Sequence, residues 1–188
     1  GYAMVADKVA YVTDAFGNYV GSKSFDDAAS EDASVVEAVK TAAAGAYAAA
    51  SEKNISRIVK MYKDAEVVTL TPTGVQSTVN GAYTFTSEGT TYYAMTASAF
   101  GYGGPVNLLY IVDENGTIAK FKVMSHNETE YYGDVVSQSS YTNGYPGQQL
   151  DSIGDDVLVV SGCTFTTNAV KTAAADVAAA FNAVKEAQ

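Results

Sequence analysis

Along most of this chain apolar and polar positions alternate in short runs; in three places apolar residues recur instead at helical spacing. Val9 to Thr13 is an apolar, β-rich run, Asp14-Ala15-Phe16-Gly17-Asn18 is a turn, and Tyr19-Val20 resumes the run, so residues 1–25 read as a β segment. A polar, acidic stretch from Ser24 to Ser34 then leads to an alanine-rich helix over Val35 to Ala50, with Ser34 as its cap. Ile55, Ile58, Val59 and Tyr62 predict a second, short helix within Ser51 to Asp64. Glu66 to Val75 reads as a strand broken by Thr71-Pro72-Thr73-Gly74. Ala82 to Phe100 holds two strands about Ser87-Glu88-Gly89, and Val106–Val112 and Ile118–His126 are joined by Asp113-Glu114-Asn115-Gly116, an Asn-Gly hairpin signal. Near the end, the apolar run Val157 to Val160 delivers the hydroxyl-rich turn 161–168 to a helix on which Ala173, Val177, Ala180, Phe181 and Val184 share one face. Thr166, Thr167 or Asn168 can cap that helix. The class is α+β, an antiparallel β-sheet flanked by helices.

The pattern also repeats. Ala38-Val39-Lys40-Thr41-Ala42-Ala43-Ala44 recurs letter for letter at Ala169 to Ala175, and Tyr11-Val12-Thr13-Asp14 before Gly17 parallels Tyr110-Ile111-Val112-Asp113 before Gly116. The second copy has extra positions between its hairpin and its helix, and the first has Ser30-Glu31-Asp32-Ala33 where the second has Ser161-Gly162-Cys163-Thr164. Residues 1–50 thus read as a degenerate half repeat, or the tail of a preceding domain, and residues 51–188 as a full domain.

Composition narrows the partners. A net charge of −10 and a pI near 4.4 argue against nucleic acid, which demands a basic footprint, and against an anionic membrane surface. No run of 18 apolar residues occurs, and a start at Gly1 reads as a processed or excised piece. The lone Cys163 excludes an internal disulfide, and the lone His126 excludes a multi-histidine metal site. Scarce cysteine with abundant Tyr and Thr leans towards an extracellular, cell-surface location.

Three segments carry candidate chemistry. Ser161-Gly162-Cys163-Thr164-Phe165-Thr166-Thr167 opens a helix, where unpaired N–H groups and the helix dipole favour a phosphate. It resembles the S/T-G-A-T-x-T-S signature of the FMN-binding domain found in flavin subunits of sodium-pumping and Rnf-type respiratory complexes. His126-Asn127-Glu128-Thr129-Glu130-Tyr131-Tyr132-Gly133 is similar to that family's H-x-E-T-P-G-x-G segment, and Gly101-Tyr102-Gly103-Gly104-Pro105-Val106 to its G-Y-x-G-x-I segment. The resemblance covers about residues 80–184 and implies an FMN-binding domain type of fold. It further implies FMN held covalently through a phosphoester to the hydroxyl matching Thr164, installed by a flavin transferase. Ser161, Gly162, Cys163, Thr166 and Thr167 would surround the phosphate. His126 would lie near the flavin, Glu128 and Thr129 would hydrogen-bond its ring or ribityl chain, and Tyr102, Gly103, Gly104 and Tyr131 would complete the site. Tyr131, Tyr132, Tyr141 and Tyr145 are the tyrosines best placed by sequence to stack on the ring.

The implied function is an extracellular electron carrier, not a self-contained catalyst. A membrane dehydrogenase or quinone pool would stand upstream, and an extracellular acceptor or neighbouring flavin domain downstream. One alternative is the FMN module of a larger reductase. Another is a flavin-free surface or structural module, favoured where the chain departs from the family pattern: Cys163 for Ala, Leu158 for an acidic residue, and Glu130-Tyr131-Tyr132 for P-G-L.

Overall fold

The computed structural model describes residues 3–74, 78–130, 133–156 and 159–187. It divides into two compact units, Gly1–Ser56 and Arg57–Gln188. In the first, strands β1 (Ala3–Ala6), β2 (Val9–Thr13) and β3 (Tyr19–Ser24) form an antiparallel sheet in that order. Val9 and Tyr11 alternate inward and pack with Val36 and Val39 of helix α1 (Ala33–Met61). The alternation in β2 and the helical spacing in α1 are two periods meeting in one small core.

Helix α1 corrects two expectations. It runs unbroken through Ser51 and Asn54 instead of dividing near Ala50, and both of those polar residues are buried. Its cap is Asp32, not Ser34: the Asp32 carboxylate accepts from the N–H groups of Ser34 (2.7 Å) and Val35 (3.3 Å). A carboxylate satisfies two orphan donors and opposes the positive end of the helix dipole, which a neutral hydroxyl does less well.

The second unit is built on a five-stranded antiparallel sheet, β4 (Val68–Leu70), β5 (Val79–Ser87), β6 (Thr90–Phe100), β7 (Pro105–Asp113) and β8 (Ile118–Ser125), paired in sequence order. One face packs on helix α4 (Thr164–Glu186), where the Tyr93 and Phe181 rings meet edge to face at 5.3 Å. Helix α3 (Leu150–Asp156) packs beside α4, while a 3-10 turn (Asp134–Ser137) and α2 (Ser139–Thr142) pack against β8. The opposite face is covered near its edge by Tyr62, whose ring contacts Phe85 and Tyr92. Two antiparallel sheets with packed helices make the fold α+β, as the sequence pattern predicts.

Three local expectations differ from the structure. Tyr141 and Tyr145 do not present their rings for stacking. Both are 4% exposed, their hydroxyls are 3.0 Å apart, and Tyr145 stacks on Phe121 at 3.9 Å between centroids. Burial accordingly pushes the Tyr145 phenol well above its ordinary range. Of the expected strand Val157–Val160, residues 157 and 158 lie outside the described set, and Val159 and Val160 are irregular. The expected caps Thr166, Thr167 and Asn168 fall inside α4, whose N-cap is Cys163.

The repeated turn is the same structure twice. Asp14 N–H donates to the Asn18 carbonyl at 2.8 Å and Asp113 N–H to that of Thr117 at 2.9 Å. The Asp14 carboxylate accepts from the N–H groups of Phe16 (2.9 Å) and Asn18 (2.8 Å), as that of Asp113 does from Asn115 (2.8 Å) and Thr117 (2.9 Å). Gly17 and Gly116 stand at φ +82° and +81°, in the left-handed region that a side chain disfavours. The helices following the two hairpins start in register as well: Ala33 and Thr164 are 131 positions apart, the same offset as Ala38 and Ala169 of the repeated heptapeptide.

Helix α4 is tied to β5 by a buried carboxylate. Asp176, 9% exposed, accepts from the Thr78 hydroxyl at 2.6 Å and the Thr78 N–H at 3.1 Å. Replacing it by Ala orphans both donors and should cost about 2 kcal/mol. The midpoint of urea unfolding should fall for Asp176→Ala and fall less for Asp176→Asn, which keeps one acceptor. Equal midpoints for wild type and Asp176→Ala would show that the contact contributes nothing.

Candidate functional site at the N-terminus of helix α4

Antiparallel pairing brings three distant segments to one end of the sheet. Strand β6 ends at Phe100 opposite Pro105, where β7 begins, and β8 ends at Ser125 opposite Asn107. The tip 100–105 and the loop from His126 onward therefore leave the sheet side by side, and α4 begins beside them.

The Glu128 carboxylate joins the three. Its Oε2 accepts from the Thr166 hydroxyl at 2.7 Å and from the Gly103 N–H at 3.2 Å. The Thr166 hydroxyl in turn accepts from the Tyr102 N–H at 3.4 Å. His126 holds the base of this loop, its Nδ1 accepting from the Glu128 N–H at 3.2 Å. The Thr129 carbonyl accepts from the Gly133 N–H at 3.1 Å, while the Thr129 side chain is exposed.

The glycines of these segments are small because the carboxylate fills the space a side chain would need. A Cβ on Gly101 would lie 2.1 Å from Glu128 Oε1, and one on Gly103 would lie 2.3 Å from the Asn127 carbonyl. A Cβ on Gly133 would lie 2.1 Å from Glu128 Oε2 and 2.8 Å from Thr166 Oγ1. Gly104 bends the tip at φ +143°, and its carbonyl accepts from the Gly101 N–H at 2.8 Å.

At the helix start, Thr166 and Thr167 are fully buried, and the Thr167 hydroxyl donates back to the Cys163 carbonyl at 3.1 Å. Cys163 is buried, forms no disulfide and makes no side-chain cap bond. Ser161, Gly162 and Thr164 are exposed. Among the described residues nothing hydrogen-bonds the Thr164 hydroxyl or the N–H groups of Thr164, Phe165 and Thr166. An exposed threonine thus opens a 23-residue helix whose first three N–H groups are free at its positive end. That donor set fits a phosphate.

The structure brings together Tyr102, Gly103, Glu128 and Thr166, with His126 and Gly133 supporting them. It places Ser161, Gly162, Cys163, Thr164 and Thr167 along the start of the helix. Tyr131 lies outside the described residues. Two features escaped sequence reasoning. Gly101 and Gly133 are walls of the Glu128 pocket, and Phe165 is an exposed aromatic residue off the helix stripe that faces the sheet. The second was readable from spacing, since Thr166, Ala169, Val170 and Ala173 define the inward face.

The Gly133 wall yields a test. Gly133→Ala forces a methyl group into the contact between Glu128 and Thr166 and should destabilise the fold by about 2 kcal/mol, the usual cost of overpacking. Urea unfolding reads the loss, and an unchanged midpoint would show that the junction yields freely.

Known proteins match this part of the chain. Residues 101–179 match the family model of the FMN-binding domain. A subunit of the proton-translocating ferredoxin:NAD(+) oxidoreductase complex of Clostridium ljungdahlii is 29% identical over 86 residues, 42% of this chain and 46% of that protein. A subunit of the ion-translocating oxidoreductase complex of Shewanella loihica is 29% identical over 100 residues, 47% of each. The chain spans about half the length of these curated relatives. Their names correct the expected extracellular, cell-surface location: a complex that translocates an ion works at a membrane, so its subunits belong to that assembly. Scarcity of cysteine is a compositional bias, not a mechanism of export. Residues 101–179, which hold all three converging segments, are thus similar to the FMN-binding domain family.

Proposed function

We propose that residues 51–188 are an electron-transfer domain carrying one FMN through a phosphoester to Thr164, working within a membrane oxidoreductase assembly. The observation that carries this reading is the helix start itself: an exposed Thr164 with an unbonded hydroxyl opens a helix whose first three N–H groups are free. Bound FMN supplies the redox chemistry, accepting and releasing electrons one or two at a time.

The residues of the chain divide the remaining work. The N–H groups of Thr164, Phe165 and Thr166 offset the phosphate charge without a counterion. Glu128, Thr166 and the Gly103 N–H fix the two loops against the helix, so the attachment point sits on a rigid scaffold. Attachment requires a flavin transferase and a donor with a leaving group, for which a flavin dinucleotide suffices. The Thr164 oxygen bonds to the FMN phosphorus, the pyrophosphate bond breaks, AMP leaves, and the hydroxyl proton is released. No electron is transferred in this step. Tethering then removes dissociation of the cofactor.

The same reading treats residues 1–50 as a half repeat without a flavin. Ala33 occupies the helical place of Thr164 and offers no hydroxyl, and the Asp32 carboxylate already satisfies the N–H groups that would meet a phosphate. The chain therefore takes one FMN, not two. Placement inside a larger reductase is the second reading, favoured by relatives of about twice the matched length that are named as subunits of complexes. The Thr164 chemistry is the same in both.

Coexpression with an active flavin transferase should add the mass of one FMN less one water to the wild type. It should add nothing to Thr164→Ala. Cys163→Asp, which places a cap carboxylate where Asp32 stands in the first unit, should lower the modified fraction sharply while the protein stays folded. An unmodified wild type, with the transferase shown active on another substrate, would sink the proposal.

A further inference from the structure

We propose that Phe165 and Tyr102 form an aromatic clamp for the isoalloxazine ring of the FMN on Thr164, an inference that rests on the covalent reading above. Phe165 follows the attachment point directly and is 76% exposed, and Tyr102 is 67% exposed. Phe165 lies outside the face of α4 that packs on the sheet, so core packing does not explain it. Phe100, 80% exposed at the base of the same tip, adds a third bare ring to this end of the domain.

The pair meets as a tilted aromatic contact. The ring centroids of Tyr102 and Phe165 are 6.5 Å apart with their planes at 51°. A flat ring between two parallel rings needs centroids about 7 Å apart, twice the ~3.5 Å separation of carbon atoms in contact. Admitting the flavin therefore takes rotation of the two side chains towards parallel and a small further separation of the rings. The backbone is held in place: Tyr102 N–H donates to Thr166 Oγ1 and Gly103 N–H to Glu128 Oε2, so the base of the Tyr102 side chain is fixed against the first turn of α4. One jaw therefore belongs to the helix bearing the tether and the other to the hairpin tip pinned to it. Both are uncharged aromatic faces, which suit a planar heteroaromatic ring. The clamp orients the flavin and shields its faces from water, while its edge stays open for electron exchange.

Flavin fluorescence reads the clamp independently of any activity, because a tyrosine stacked on an excited flavin donates an electron to it and quenches emission. Wild type, Phe165→Leu and Phe165→Tyr are coexpressed with a flavin transferase, and intact mass and emission per flavin are recorded before and after complete proteolysis. The wild type should emit severalfold less than its own digest. Phe165→Leu, with its FMN still attached, should rise towards the digest, and Phe165→Tyr should stay quenched. An attached FMN whose emission in the intact wild type equals that of the digest would overturn the clamp and leave the covalent reading intact, as would unchanged quenching in Phe165→Leu. A wild type without the added mass would overturn both. If a variant escapes attachment, the comparison of wild type with its digest decides.

Discussion

One carboxylate organises the functional end of this molecule. Glu128 enters from the loop after β8, accepts from the hairpin tip at Gly103, and accepts from the first turn of α4 at Thr166. Three segments separated by up to 64 positions meet at one carboxylate oxygen, Glu128 Oε2, and at the Thr166 hydroxyl bonded to it. Hydrogen bonds to an ionised acceptor are about twice as strong as neutral ones. The glycines at 101, 103 and 133 let the backbones close around this group, since any Cβ there would occupy the space of a Glu128 oxygen or its neighbouring carbonyl. The helix start is thereby aimed at solvent with its first hydroxyl free.

The two helix starts show what such an arrangement requires. Helix α1 begins behind Asp32, whose side chain closes its N–H groups; α4 begins behind Cys163, whose side chain does not. Capping typically contributes about 1 kcal/mol, so an uncapped start forgoes stability that the first unit keeps. The cost falls at the place where a phosphate would restore it. Two helices sharing a heptapeptide, a preceding turn and a starting register thus differ in the one feature that separates a closed terminus from an anion site.

Much of the fold was legible because local pattern and tertiary structure agree. Alternation located β2 and β5 to β8, and the two Asp-x-x-Gly turns fixed their hairpins through side-chain acceptors three residues from the glycine. What was not legible depends on partners distant in sequence. Thr166 has the chemistry of a helix cap, yet its hydroxyl is drawn to Glu128, 38 positions away. Tyr145 has the chemistry of a flavin-stacking residue, yet Phe121 and Tyr110 enclose it. Ser51 and Asn54 look like the end of a helix but are buried inside one. The three motif segments were readable one by one, whereas their meeting at a single carboxylate follows only from the antiparallel register that sets β6, β7 and β8 side by side.

The central claim is that the first residue of α4 is the attachment point. Fragmentation mass spectrometry of the tryptic peptide spanning residues 123–171, taken from protein coexpressed with a flavin transferase, tests it most directly. The account predicts FMN on Thr164 alone, with Ser161, Thr166 and Thr167 unmodified. FMN on any of those three hydroxyls, or an unmodified peptide beside an active transferase, would contradict it.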